Sequence, residues 1–328
     1  MAQTSEETNL VRSIAVKLPD QHQLKILSFA FFHALRVKYP EAEVHLISSS
    51  YGIAALNLLP FKKFFYHEYP SEEIKTIFDV HRFCAEAKIY NTDLFISLSP
   101  SFLDSSIGVG LRAKKRIGFK KGLNGFILNE VHPWLEGQHV VENFYQLIGM
   151  DSKANLKIFS RELTPIVNDF ENYMAINIGP LKDGKIDEMW IHVCSHFQNQ
   201  NIVLFMDISE DKFILNQKEF IKTLNPKNNY KFFIPENHIE IARMMSFAKG
   251  VITSNGSISA LSAYTGASTL ILYDKENPQI LGPFYFLSEI KIMSLDFKSA
   301  GASMERPGRF SAEEVALNAY DFFKLYEQ

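Results

Sequence analysis

Cysteine is scarce in this chain, and its scarcity excludes two classes of protein. Only two cysteines occur among 328 residues, Cys84 and Cys194, far apart and without the C-x-x-C or Cys/His spacing of a metal site. A disulfide-rich secreted domain and a small zinc module are therefore excluded. We expect two reduced, buried thiols.

Long apolar runs and a strong excess of charge are also missing. No stretch approaches the roughly 18 to 20 apolar residues that a membrane span needs, and the polar, acidic start M-A-Q-T-S-E-E is unlike a signal peptide. The formal net charge is -3, from 34 Lys+Arg and 37 Asp+Glu, so nothing predicts a nucleic-acid partner. We expect a cytoplasmic protein, with peripheral contact to the inner membrane left open.

Glycine-rich phosphate-binding motifs are absent too. The strand-loop-helix segments contain neither G-x-G-x-x-G nor G-x-x-x-x-G-K-[ST], which argues against an NAD dehydrogenase and a P-loop NTPase. Gly108 and Gly110 lie near the end of a predicted helix, where glycine more often caps the helix or permits close packing.

The chain does show a regular alternation of buried strands and helices. Strand Ser13 to Lys17, a polar loop and helix Leu24 to Lys38 open the first half, and strand Tyr173 to Ile178 restarts the pattern. Such alternation predicts an α/β protein with parallel sheets in two Rossmann-like lobes and a cleft between them.

Three loops are the first places to look for a ligand, because ligands bind beyond the carboxyl ends of strands in open α/β sheets. In loop 18–23, Asp20 or His22 could act as a general base. In loop 179–185, which opens at Gly179, Lys182 and Lys185 could reach a phosphate. Ordinary polar turns are the alternative for both loops.

The third loop lies within Gly250 to Gly266, where a β-branched run breaks at Ser254-Asn255-Gly256-Ser257 and a helix follows. The unpaired N–H groups at a helix start, aided by the helix dipole, form an anion site. The alternative is a tight connection, since Asn and Gly tolerate positive φ and Ser caps helices.

Lys114, Lys115 and Arg116 form a short basic segment. It could bind an anionic acceptor or a leaflet surface, and a solvated turn is the alternative.

Several of these segments resemble the ADP-heptose:lipopolysaccharide heptosyltransferases, glycosyltransferase family 9. V-K-L-P-D-Q-H-Q-L-K through A-L-R-V-K-Y-P, from Val16 to Pro40, is similar to the family's first strand, loop and helix. R-I-G-F at Arg116 to Phe119 and H-V-V-E-N-F at His139 to Phe144 resemble two further motifs. The stretch from Gly250 to Gly266 resembles the family's strand followed by D-S/T-G-x-x-H-L-A-A-A-L-G.

The resemblance implies a GT-B fold, two Rossmann-like lobes facing a central cleft. It also implies transfer of a heptose or other sugar from a nucleotide diphosphate, an ADP-sugar first of all, to a lipopolysaccharide core or related glycan, without metal or cofactor. The implied parts are an acceptor lobe at 1–160, a donor lobe at 170–310 and a last helix, 311–328, packing back across the lobes. Site residues are then assigned as Asp20 and His22 for catalysis, Gly179, Lys182, Lys185, Asn255, Gly256, Ser257 and Ser259 for the donor, and Lys17, Lys114, Lys115 and Arg116 for the acceptor.

The sequence also departs from the family. Asn255 stands where the family has Asp, Gly256 where it has Ser or Thr, and Ala260 where it has His. Leu24 falls where the family has its catalytic acidic residue, so Asp20 would act from a shifted position. The alternative function is therefore a catalytically degenerate GT-B protein that binds a nucleotide sugar or glycan without turnover.

Overall fold

The computed structural model of this protein describes residues 11–50, 53–151, 158, 160–167, 170–179, 187–207, 221–273, 276–284, 287, 289–294 and 310–325. The chain divides into two compact units, residues 1–158 and 159–328. The predicted lobes end and begin close to this boundary. No helix within the described ranges is long and apolar enough to cross a bilayer.

The first unit is built on one sheet of six parallel strands. Their order in the sheet is β3-β2-β1-β4-β5-β6. The central strands run S-I-A-V-K and L-F-I-S and are almost wholly buried, as parallel strands covered on both faces should be. The strands are β1 Ser13–Lys17, β2 Glu43–Ser48, β3 Phe64–Glu68, β4 Leu94–Ser97, β5 Lys115–Phe119 and β6 Glu130–His132.

Helices cover this sheet, and local capping sets where they begin. One helix begins at Ile77, because the Thr76 hydroxyl accepts a hydrogen bond from the Asp79 N–H while Asp79 accepts one from the Thr76 N–H. The described helices of this unit are α1 His22–Lys38, α2 Ile77–Ala87, α3 Phe102–Gly110 and α4 Val140–Gln146, with 3-10 turns at Ile53–Leu58 and Gly122–Phe126.

The second unit repeats the design. Its six parallel strands lie in the order β12-β11-β10-β7-β8-β9, so both units have the common Rossmann order when strands are counted within each unit. The predicted α/β class with two Rossmann-like sheets is confirmed. The strands are β7 Tyr173–Asn177, β8 Asn201–Phe205, β9 Asn229–Phe233, β10 Gly250–Ser254, β11 Thr269–Tyr273 and β12 Ile290–Ser294, and the described helices are α5 Glu188–His196, α6 His238–Ser246, α7 Ser257–Thr265, α8 Pro278–Leu281 and α9 Ala312–Phe322.

The last helix belongs to the core of the second unit. Val315, Ala319 and Phe323 on or next to α9 are buried together with Trp190 of α5. Apolar residues at i, i+4 and i+8 form one face of a helix, which explains why this stretch packs as it does. That α9 also crosses to the first unit stays a prediction.

The cysteines and the Gly108/Gly110 pair have structural roles. Both thiols are free and buried, and burial raises the pKa of each to about 12. A Cβ on Gly108 would lie 2.5 Å from the Phe95 ring, and one on Gly110 would lie 2.7 Å from Cys84 Sγ. Both glycines therefore allow α3 to pack closely, which confirms the packing role predicted for them.

Candidate functional site

The strand order identifies one crevice in each unit. In the first sheet the order reverses between β1 and β4, and in the second between β7 and β10. Ligands of open α/β sheets bind outside the carboxyl ends of strands at such points. The three predicted loops follow β1, β7 and β10, so each lies beside one of these two crevices. That a ligand binds there stays a prediction.

A buried lysine marks the crevice of the first unit. Lys17, the last residue of β1, is completely shielded from solvent. Its Nζ donates to the Leu18 carbonyl at 2.8 Å and to Asp20 Oδ1 at 3.0 Å, and it lies 3.7 Å from Asp104 Oδ1. The ring of Tyr69 lies 4.9 Å below the ammonium. A buried charge needs such partners, because burying it alone is costly.

Asp104 is a residue of this crevice that sequence reasoning did not single out. It lies in the first turn of α3, whose N-cap is Ser101, and only 8% of its side chain is exposed. Burial raises the pKa of this carboxyl group, while the Lys17 charge opposes that shift. The available signal was an acidic residue in the first turn of the helix that follows a strong strand, but only the pairing of β4 with β1 brings it to Lys17.

A second buried lysine lies on α1. Lys25 is also fully shielded, and its Nζ donates to Ser49 Oγ at 3.1 Å and to the Ser49 carbonyl at 3.3 Å. Burial first, and then the Lys17 charge, lowers the pKa of Lys25 to about 8, while Asp20 opposes the shift. We call Lys17, Asp20, Lys25, Tyr69 and Asp104 the Lys17 cluster.

The two residues predicted for catalysis lie two positions apart along the chain at this edge. Asp20 is 48% exposed at its side chain, so a ligand can reach the carboxylate although Lys17 holds one of its oxygens. His22 is half-buried as the first residue of α1. Their catalytic roles stay predictions.

The basic segment predicted for the acceptor lies elsewhere. Lys115 pairs with Leu94 at the start of β4, whereas Lys17 pairs with Ser97 at its end. The segment is therefore at the amino edge of the sheet, and the structure does not bring it to Lys17. Its charges bind protein groups: Lys114 with Asp93 and Lys115 with Glu130, each at 2.7 Å. The guanidinium of Arg116 donates to the carbonyls of Ile127 and Ala113.

In the second unit, Gly256 shapes the turn into α7. Its φ of 151° and ψ of -158° form a conformation essentially restricted to glycine. The Gly256 N–H donates to Ser259 Oγ at 3.1 Å, and that hydroxyl donates to the Gly256 carbonyl at 2.8 Å. Ser259 thus supports the turn, and the helix opens at Ser257 with the backbone N–H groups of its first turn outside the helical ladder.

Of the other residues predicted for the donor, Gly179 and Asn255 lie among the described residues. Gly179 follows β7 with a φ of 69°, and its N–H donates to Asn177 Oδ1 at 3.1 Å. The Asn177 amide donates to Thr253 Oγ1 at 3.0 Å and so ties β7 to β10 at the crevice. The side-chain amide of Asn255 donates to the carboxylate of Glu276. Lys182 and Lys185 lie outside the described residues.

Asp207 joins this site unexpectedly. It follows β8, its Oδ2 accepts a hydrogen bond from Ser257 Oγ at 2.5 Å, and its Oδ1 lies 3.1 Å from Nε2 of the buried His238. Asn237 caps α6 by accepting from the N–H groups of Ile239 and Glu240, which fixes His238 in the first turn. The sequence signal was an acidic residue directly after the buried run of β8.

Comparisons with known proteins identify the fold. No family model and no curated protein matches the chain. Among solved structures, a glycosyl transferase of family 9 from Veillonella parvula superposes with a TM-score of 0.71 at 16% identity, covering 97% of this chain and 99% of that one.

Two E. coli proteins are similar in the same way. ADP-heptose lps heptosyltransferase II gives a TM-score of 0.70 at 13% identity, with 96% of this chain and 100% of that chain covered. The heptosyltransferase WaaC with ADP gives 0.67 at 13% identity, with 95% and 99% covered. The chain therefore has, over nearly its whole length, the GT-B fold of family 9 glycosyltransferase and heptosyltransferase structures.

Proposed function

We propose that this protein is a glycosyltransferase that moves a heptose or another sugar from a nucleotide diphosphate, an ADP-sugar first of all, to a lipopolysaccharide core or related glycan. One observation carries the proposal: in a fold like that of heptosyltransferases, each unit has polar groups at its own switch point or in contact with it. These are Lys17, Asp20 and Asp104 in the first unit, and Gly256, Ser257 and Asp207 in the second.

The donor diphosphate is assigned to the start of α7. Backbone N–H groups and the helix dipole attract anions there whatever the side chains are. Among the described residues, no atom beyond the immediate chain neighbours lies within 4 Å of the Cβ position of Gly256 or of Gly179, which supports a ligand approaching the backbone there. Lys182 and Lys185 remain proposed as cationic partners of the phosphates.

Asp207 is assigned to the donor ribose. An ionised carboxylate accepts hydrogen bonds and can therefore bind the hydroxyl groups of a ribose. Asp207 follows the second strand of its unit and is 32% exposed, while Ser257 and His238 hold its two oxygens in place. Both hydrogen bonds fix the direction of its remaining lone pairs, so the carboxylate can select nucleotides over inorganic diphosphate.

The Lys17 cluster is assigned to the acceptor and the base. Asp20 would take the proton of the attacking acceptor hydroxyl, whose oxygen forms the new bond to the anomeric carbon while the bond to the diphosphate breaks. Lys17 positions Asp20 through its 3.0 Å contact. The departing diphosphate is stabilised by the α7 backbone, so the transfer needs positioning and electrostatics and no metal ion.

Binding without turnover is the second candidate function. The Asn255 amide is bound to Glu276 and the Ser257 hydroxyl to Asp207. Both side chains are therefore hydrogen-bonded to other residues of the protein. This suits a site that recognises a nucleotide through the protein backbone but lacks side chains that activate the sugar.

A nucleotide panel tests the donor site first. ADP, UDP, GDP and CMP are added in a thermal-unfolding assay, since a ligand that binds only the native state at 100 times its Kd stabilises it by about 2.7 kcal/mol. We expect a shift with ADP that Asp207→Asn reduces and that the surface variant Asp321→Asn preserves. No shift with any nucleotide would refute the donor site.

Turnover then separates the two candidate functions. ADP-heptose is incubated with a truncated lipopolysaccharide acceptor, and ADP release is measured with and without EDTA. We expect turnover that EDTA leaves unchanged and that Asp20→Ala lowers by on the order of 100-fold or more, the usual contribution of a general base, while Glu41→Gln, an exposed carboxylate of the same unit, has no effect. Nucleotide binding without ADP release supports the binding protein, and full activity in Asp20→Ala removes Asp20 as the base.

A further inference from the structure

The 3-10 turn at Gly122–Phe126 exposes two large apolar side chains. Leu123 is 61% exposed and Phe126 is 86% exposed. Burying such side chains normally stabilises a protein, and large exposed apolar groups that cluster together mark interaction sites. The turn is therefore a candidate contact surface.

The exposure is built into the turn. Asn124, between the two apolar residues, is fully buried, and its amide donates to the carbonyls of Pro100 at 3.1 Å and Phe119 at 3.3 Å. The Ile127 N–H donates to the Asn124 carbonyl and closes the turn. Because Asn124 holds the turn from inside, Leu123 and Phe126 are directed outward in a fixed conformation.

A second apolar segment lies beside the turn. The Lys120 N–H donates to the His132 carbonyl at 2.8 Å, and the Trp134 ring packs edge-on against Phe119 at 4.9 Å. Trp134 and Leu135 are each 38% exposed. Both segments follow the carboxyl ends of β5 and β6, the edge of the sheet on which Asp20 lies. We call Lys120, Lys121, Leu123, Phe126, Trp134 and Leu135 the turn surface.

The turn surface carries a net positive charge. Lys120 and Lys121 are exposed, and within the described ranges neither forms an ion pair, while Glu136 is the exposed acidic residue next to Leu135. Lysines beside outward-pointing leucine, phenylalanine and tryptophan are typical of segments that lie in the interface of an anionic bilayer. The segment from Phe61 to Tyr69 also combines lysines with aromatic residues, but its Phe64 and Tyr69 are buried and Phe65 is 44% exposed, about half the exposure of Phe126.

We propose that the turn surface docks the protein onto an anionic lipid bilayer, with Leu123 and Phe126 entering the headgroup region and Lys120 and Lys121 contacting lipid phosphates. The proposal rests on the proposed function in one respect, that a lipid-linked glycan acceptor gives the docking its purpose. Docking would bring the Asp20 edge of the first unit to the membrane.

Flotation of the full chain with vesicles tests the proposal. We expect binding to vesicles of phosphatidylcholine with phosphatidylglycerol, weaker binding in high salt, and little binding to phosphatidylcholine alone. Each substitution Lys120→Gln or Lys121→Gln should lower the partition constant about fivefold, and Phe126→Asp should lower it on the order of tenfold or more. The controls are Lys75→Gln and Phe78→Asp, because Phe78 is 85% exposed on α2 beside acidic Asp79.

Three outcomes would overturn the proposal. The first is an absence of binding to anionic vesicles, and the second is an equal loss of vesicle binding in Phe126→Asp and Phe78→Asp. The third is self-association that Phe126→Asp abolishes, without any vesicle binding, which would assign the surface to a second copy of the chain. Thermal unfolding of each variant shows that it folds. Vesicle binding requires no nucleotide, so a failed nucleotide panel and a failed flotation assay are separate results.

Discussion

Lys17→Met tests whether the Lys17 cluster is a coupled set of charges. Methionine has a similar length and leaves little cavity, so the substitution removes mainly the ammonium. Asp104 then loses a partner 3.7 Å away while only 8% of its side chain is exposed. Asp20 is half exposed and should lose about 1 kcal/mol at most.

The expected magnitude follows from two estimates. At an effective dielectric constant near 20, two unit charges separated by the Lys17 to Asp104 distance attract by about 4 kcal/mol. In the variant, Asp104 can avoid this loss by taking up a proton. Protonating a carboxyl group whose unfolded pKa is near 3.9 costs about 4 kcal/mol at pH 7 and about 1.5 kcal/mol at pH 5, so the loss of stability cannot exceed these values. We therefore expect the free energy of unfolding of the first unit to fall by about 3 to 4 kcal/mol at pH 7.

The direction in which the stability of the Lys17→Met variant changes with pH is a sharper test than the size of the loss at pH 7. Removing Lys17 raises the folded pKa of Asp104 further, so the folded state binds more protons than the unfolded state over a wider range above the unfolded pKa. The stability of the variant should then fall as pH rises from 4 to 7, and the double variant with Asp104→Asn should lose that dependence and regain much of the stability.

The chain offers a convenient probe for this measurement. It contains two tryptophans, one in each unit, so in a Trp190→Phe background the fluorescence of Trp134 follows urea unfolding of the first unit. Glu41→Gln is the control, since Glu41 is an exposed carboxylate of the same unit. Additive effects of Lys17→Met and Asp104→Asn within about 0.5 kcal/mol would refute the coupling.

Three further predictions use the same denaturation assays. The folded pKa of Lys25 is about 8, and its unfolded pKa is near 10.4. Between these two pH values the unfolded state binds more protons, so the free energy of unfolding should rise with pH by up to about 3 kcal/mol. Lys25→Met should remove this rise. Burial, and then the neighbouring charge of His45, lowers the pKa of His67 to about 4; stability is therefore lost as pH falls from about 6.5 to 4, and His67→Phe should reduce this loss. Gly256→Ala should cost about 1 to 3 kcal/mol through backbone strain, followed by Trp190 fluorescence, and should weaken nucleotide binding.

Most strands, and the loops in which to look for a ligand, could be predicted from the sequence for physical reasons. Short runs such as S-I-A-V-K and T-L-I-L-Y are buried on both faces, and parallel strands of this kind read as continuous apolar segments. The switch-point rule then pointed to the loops after β1, β7 and β10. Strands β6 and β12 were missed, because E-V-H and I-K-I-M-S are short or mixed edge strands.

The missed site residues share one cause. Asp104 and Asp207 matter only because β4 lies beside β1 and β8 lies beside β7, and strand order is not written in local periodicity. Lys17 was predicted as an acceptor residue, whereas Lys25 was not singled out. Both lysines are ordinary in sequence, and their significance comes from complete burial. The segment Lys114 to Arg116 was the most conspicuous basic stretch, yet its charges hold neighbouring protein groups at the other edge of the sheet.

The backbone and the side chain of Ser257 have separate roles in the proposed donor site. The hydroxyl of Ser257 donates to Asp207, whereas its backbone N–H lies at the helix start and depends on no side chain. An anion-binding backbone of this kind does not depend on which side chains stand at positions 255 and 260. Beside it, His238 and Ser257 hold the Asp207 carboxylate in place. A carboxylate repels phosphate but accepts from hydroxyl groups, so donor selectivity should follow Asp207 while diphosphate affinity should follow the backbone.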